Sequence, residues 1–104
     1  MKQPTSTFAT ALRAARKARG VPQEAFDVIS SRTYISALER GLKQPTIAKI
    51  DDLAGVLRLH PLTLLALSYS ARHTAEDVHR LLARVQHEVD ELLSPAGTRS
   101  EHSS

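Results

Sequence analysis

The chain has no cysteine and no tryptophan, and its 104 residues hold only two tyrosines and two phenylalanines. Without cysteine, neither a disulfide framework nor a thiolate metal site is open to it. Strand signals, meaning alternating runs rich in Val, Ile, Thr and aromatics, are missing. No apolar run approaches the roughly 18 residues needed to span a bilayer, and residues 1–7 lack the apolar stretch of a signal peptide. A cytoplasmic protein that does not enter membranes is the expectation. The five histidines, His60, His73, His79, His87 and His102, never recur at the spacing that sets two metal ligands on one helical face. His73 with Asp77 and His87 with Glu91 do share faces, a pattern typical of solvated neighbours. No glycine-rich phosphate loop occurs, and the serines fall in caps or the tail without an evident base. Neither an enzyme, a cofactor nor a metal site is expected.

Charge is present, and it is lopsided. Residues 1–50 hold nine Lys or Arg against three acids, a net of +6, while residues 51–104 hold five Arg against eight acids, a net of −3. A basic half suggests a polyanionic partner, because lysine and arginine replace counterions condensed on phosphate.

Apolar residues recur at helical spacing almost throughout. A first helix is predicted over residues 7–19, with Phe8, Ala11, Leu12 and Ala15 on one face and Gly20 closing it. A short second helix opens at Pro22 and carries Ala25, Phe26 and Ile29. Ser30 and Ser31 break the chain and cap a third helix from Arg32 to about Arg40, closed by Gly41. Thr46 caps a fourth, with Ile47, Ile50, Leu53, Ala54 and Leu57 on its apolar face. Pro61 opens a fifth, to about Tyr69. The few glycines and prolines are read as marking helix ends. Thr74 caps a sixth, with Glu76 and Asp77 in its dipole-favoured first turn and one stripe of Val78, Leu81, Leu82, Val85, Val89, Leu92 and Leu93. The tail, rich in Ala, Gly, Thr, Ser and charge, is expected to be disordered.

Residues 20–41, GVPQEAFDVISSRTYISALERG, place a short helix, a tight break and a second short helix in succession. Such a pair can project its second helix into a major groove about 12 Å wide. Leu12-Arg13-Ala14-Ala15-Arg16 before Gly20, then Gln23-Glu24, then Tyr34 through Gly41, then Pro45-Thr46 and His60-Pro61-Leu62, resemble the helix-turn-helix domains of phage repressors and Cro proteins. The likeness covers residues 8–66 and rests on the order and spacing of these pieces. It implies an all-α fold, a five-helix repressor-type bundle, here followed by a C-terminal amphipathic helix. Members of the family usually have about two more residues between the paired helices, so residues 26–31 must cover that distance and the second helix should be trimmed.

The resemblance assigns roles by position. The helix from Arg32 becomes the recognition helix, with Arg32, Thr33, Ser36 and Ala37 facing base edges: Arg32 towards guanine, Thr33 and Ala37 towards a thymine methyl. Gln23, Arg40 and Lys43 match phosphate-gripping positions, and Tyr34 divides between packing and phosphate contact. Ile35 and Leu38 belong to the core. Arg16 and Glu39 match an internal ion pair between the first and third helices.

Four segments are expected: an N-terminal arm (1–7), a DNA-binding domain (8–69), a C-terminal helix for dimerisation (70–93) and a tail (94–104). The sixth helix, about 28 Å long at 1.5 Å per residue, either folds back on its bundle or pairs with a second chain. Pairing is favoured, because two recognition helices must stand about 34 Å apart to read successive turns of DNA. Leu65, Tyr69, Val78, Leu82, Val85, Val89 and Leu92 would form that interface. The expected partner is double-stranded DNA bound as a homodimer at a palindromic operator, as by a repressor. The alternatives are an antitoxin, whose C-terminal helix holds a toxin protein, and a protein-binding scaffold.

Overall fold

The computed structural model describes residues 7–70, 72 and 74–95. The described residues form helices and connections, with no strand. Of the expected arm (1–7) and tail (94–104), residues 1–6 and 96–104 lie outside them. Thr7 opens α1 and Ser94 closes the last helix, so neither belongs to those segments.

Helix α1 (Thr7–Arg19) buries Phe8, Ala11, Leu12 and Ala15 at helical spacing. It ends because Gly20 takes φ +69°, a conformation that costs glycine no Cβ clash. The amides of Gly20 and Val21 then return to the carbonyls of Lys17 and Arg16, both at 3.0 Å, capping two otherwise orphaned acceptors. The next element is a 3₁₀ helix (Gln23–Val28), tighter than the α-helix that the pattern suggests. Pro22 stands before it as the N-cap residue, and Phe26 is fully buried from its inner side. The amides of Ile29 and Ser30 both close on the Phe26 carbonyl, at 2.9 and 3.1 Å. This is how the six residues of the shortened connection close the turn.

Helix α2 (Arg32–Glu39) starts where the Ser31 hydroxyl accepts from the Tyr34 amide at 3.1 Å, and Gly41, at φ +78°, turns the chain away after it. Helix α3 (Ile47–Leu57) is capped by Thr46 through the Lys49 amide at 3.1 Å and buries Ile50, Leu53, Ala54 and Leu57. Gly55 lies inside α3 with open space around it, so it marks no helix end. The left-handed residue that closes α3 is Arg58, at φ 59°. Helix α4 (Pro61–Tyr69) begins with His60 Nδ1 accepting from the Leu62 amide at 3.0 Å. Helix α5 (Ala75–Leu93) is capped by Thr74.

One core joins these pieces up to α4. Phe26, Leu12, Ile35, Leu38, Leu53, Leu57 and Leu64 are its largest fully buried side chains, drawn from α1, the 3₁₀ helix, α2, α3 and α4. Helix α1 packs chiefly against α4 and α2, which leaves the outer face of α2 to solvent. Helix α5 contributes no buried residue and touches mainly α4.

Candidate nucleic-acid interface

The position of α2 is set from behind. Arg16 on α1 donates from Nε to Glu39 Oε2 at 2.6 Å and from Nη2 to Oε1 at 3.0 Å. The side chains are only 16% and 4% exposed. The two-pronged geometry matches the planar fork of guanidinium to carboxylate. Gln23 Nε2 adds a donation to Oε1 at 3.0 Å, and Arg16 Nη1 donates to the Val21 carbonyl at 3.2 Å. Arg13 Nη1 donates to the backbone carbonyl of Glu39. A buried carboxylate thus has three donors on its two oxygens, the condition under which a buried charge is tolerated. The pKa of Arg16 is raised, first by its hydrogen bond to Glu39. Helices α1 and α2 and the 3₁₀ helix are pinned at one point, and the angle of α2 follows.

On the outer side, Arg32 and Thr33 are exposed and Ser36 is half-exposed, three residues of the first α2 turns on one face. Together with Gln23 and Arg40 they line one open depression of about 420 Å³. Lys43 is exposed in the loop after α2. Tyr34 is half-buried against the core, with Lys49 Nζ 5.6 Å from its ring centre. The same ammonium donates to the Ile29 carbonyl at 2.9 Å, so Lys49 braces the turn and the tyrosine at once.

Two expectations change. Ala37 is buried, at 7% exposure, rather than presented to a groove. Residues 37, 38 and 39 are buried in succession, so the last turn of α2 is covered on more sides than periodicity alone implies. Gln23 turns its amide inward to Glu39, leaving only its second Nε2 hydrogen for an outside acceptor.

Sequence reading missed three participants. Arg13 shares a face with Arg16, a three-residue spacing that offered a signal. Asp27 binds Arg32 across the turn, Nη2 to Oδ2 at 2.9 Å. Lys49 stands 20 residues from the carbonyl it binds, and nothing in the pattern pointed to it.

At the far end of the molecule the residues expected at a dimer interface are bare or partly covered. Leu65 and Val78 are half-buried, while Tyr69, Leu82, Val85, Val89 and Leu92 are exposed by between 40% and 82%. Leu62, Leu65, Ala66, Tyr69, Leu82 and Val85 line an almost wholly apolar groove between α4 and α5. His87 Nε2 lies 3.4 Å from Glu91 on the solvated side of α5. Among the described residues, no helix is long and apolar enough to cross a membrane and no acidic, histidine or cysteine cluster could hold a metal.

A family model described as "Helix-turn-helix" matches residues 12–64, about half of the chain. No curated protein and no solved structure matches.

Proposed function

The chain belongs to this helix-turn-helix family, the phage repressor and Cro type of DNA-binding regulator, and from that premise we propose that it is a repressor that reads a palindromic operator as a homodimer. One observation carries the reading: α2 is locked by the Glu39 network while Arg32, Thr33 and Ser36 face outward on one surface. A helix fixed before contact reads bases without first being ordered, which lowers the cost of binding.

Arg32 takes guanine, the Thr33 methyl meets thymine and the Ser36 hydroxyl serves as donor or acceptor. Arg40, Lys43, Tyr34 and the remaining Gln23 hydrogen take phosphates, which fix register without reading sequence. The basic half of the chain suits that work, since each neutralised phosphate releases counterions.

The second copy supplies cover for α4 and α5. Burying Val78, Leu82, Val85, Val89 and Leu92 is worth at most about 1.5–3 kcal/mol each, a sum of the same order as the association cost of about 4–15 kcal/mol. The exposed stripe would equally seat a toxin protein, which keeps the antitoxin as the second reading.

The test is selection of bound fragments from a random duplex library, with sedimentation at tens of micromolar. An inverted-repeat consensus and a dimer are expected. A monomer that still selects a consensus would favour the antitoxin, and a protein with no retention on DNA at low salt would end both readings.

A further inference from the structure

Arg32 does not stand alone at the head of α2. Asp27 Oδ2 accepts from its Nη2 at 2.9 Å, across a turn that the 3₁₀ helix makes short. The anchor is firm on one side: Phe26, next in the chain, is fully buried and its carbonyl holds both Ile29 and Ser30 amides. The two partners stay open to solvent, with side chains 59% and 46% exposed. Arg32 also lines the depression shared with Thr33, Ser36 and Arg40. The hydrogen bond to Asp27 is the first cause of a raised Arg32 pKa, followed by the carboxylate's charge.

A guanidinium has five N–H donors, two of them on Nη2. Whichever Nη2 hydrogen Asp27 engages, one two-donor edge stays complete, either Nη1 with Nη2 or Nε with Nη2. Guanine O6 and N7 require such a fork. Asp27 Oδ1 takes no part in the bond to Arg32, and it can accept from cytosine N4 or adenine N6 of a neighbouring pair. A phosphate offers no proton and repels the carboxylate. The couple therefore favours a base edge and opposes the backbone.

Resting on the reading that α2 enters the major groove, we propose that Asp27 is a specificity-determining residue, which holds Arg32 towards guanine and away from phosphate. A lone arginine at the first turn of a recognition helix has a choice between the two. Asp27 removes that choice at the level of the free protein, and it does so from the turn rather than from α2 itself.

The experiment compares the wild type with Asp27→Ala and Asp27→Asn by library selection and by titration of operator and random duplex over a salt series. Asp52→Ala, which removes an exposed acid on α3, controls for net charge. In Asp27→Ala, guanine preference at one position should fall about tenfold, towards the lower end of the range for a bidentate contact. Random duplex should bind about three- to tenfold more tightly, and the salt slope should steepen by about 0.9 as Arg32 takes up a phosphate. Asp27→Asn keeps an acceptor for Nη2, so it should recover part of the guanine preference but not the discrimination against random duplex. Asp52→Ala should leave the base preference as it is. Unchanged guanine preference and slope in Asp27→Ala would overturn the role of Asp27 while leaving the groove reading standing. Absence of any consensus in the wild type would overturn both.

Discussion

Helices α3 and α5 share an apolar stripe at the same periodicity and a threonine cap at the same position, yet they end in opposite environments. In α3 the stripe of Ile50, Leu53, Ala54 and Leu57 is buried, and in α5 no residue is. The difference lies in what stands opposite. Helix α3 meets the core built around Phe26 and Leu64, whereas α5 reaches beyond it and touches mainly α4. An amphipathic pattern states that a face must be covered; it does not say by which chain.

The strongest way to break the contrast is to attack the bundle where it holds charge. Glu39→Ala leaves Arg16 without its partner in a half-dry site, and removing one member of a buried pair typically costs about 3–5 kcal/mol. The melting midpoint should fall accordingly, and Arg16→Ala combined with it should cost far less than the sum. Additive losses in thermal denaturation would show the two residues to be uncoupled.

Next in size is the exposed stripe. Leu82→Asp with Val85→Asp should leave a cooperatively melting bundle whose midpoint no longer depends on protein concentration. Operator affinity should drop about 100-fold, the scale by which linked sites exceed single ones. A double variant that still sediments as a dimer would place the interface elsewhere.

The caps sharpen the comparison. Thr46→Ala and Thr74→Ala each remove a side-chain acceptor worth about 1 kcal/mol. The first should lower the midpoint of the whole bundle, because α3 is part of one core. The second should quicken amide exchange in the first turn of α5 alone, as expected of a segment that opens locally. Equal global effects would mean that α5 and the bundle unfold as one unit.

The smallest effect concerns the outer charges. Arg40→Ala or Lys43→Ala should lower the salt slope of DNA binding by about 0.9 each while leaving base preference intact. A changed consensus with an unchanged slope would move that residue from the backbone to the bases.

What the sequence disclosed follows the range of the interactions. Caps at Thr46 and Thr74 and glycine stops at Gly20 and Gly41 act within a few residues, so their signals sit beside them. The all-helical fold was legible for the same reason. The 3₁₀ form of residues 23–28 was only half legible, since a shortened turn implies tightening but not its geometry. Arg16 with Glu39 came from family resemblance alone, because 23 residues separate them. Ala37 was misplaced because packing overrides helical position, and the inward turn of the Gln23 amide answers a buried carboxylate that no local pattern signals. Arg58 escaped notice because left-handed closure normally recruits glycine, and arginine there accepts a conformational cost of about 1–2 kcal/mol.

On the proposed dimer, a stripe left bare on a single chain would also tie the reading of DNA to copy number. Where two copies must meet before both recognition helices engage, operator occupancy rises with the square of monomer concentration at the dilute end. Below the dissociation constant of such a dimer the regulator would be nearly silent; above it, the response would saturate within a narrow span. Val85 and Leu82 would then set a threshold, and a change of one methylene there would retune when the gene responds without altering which sequence is read.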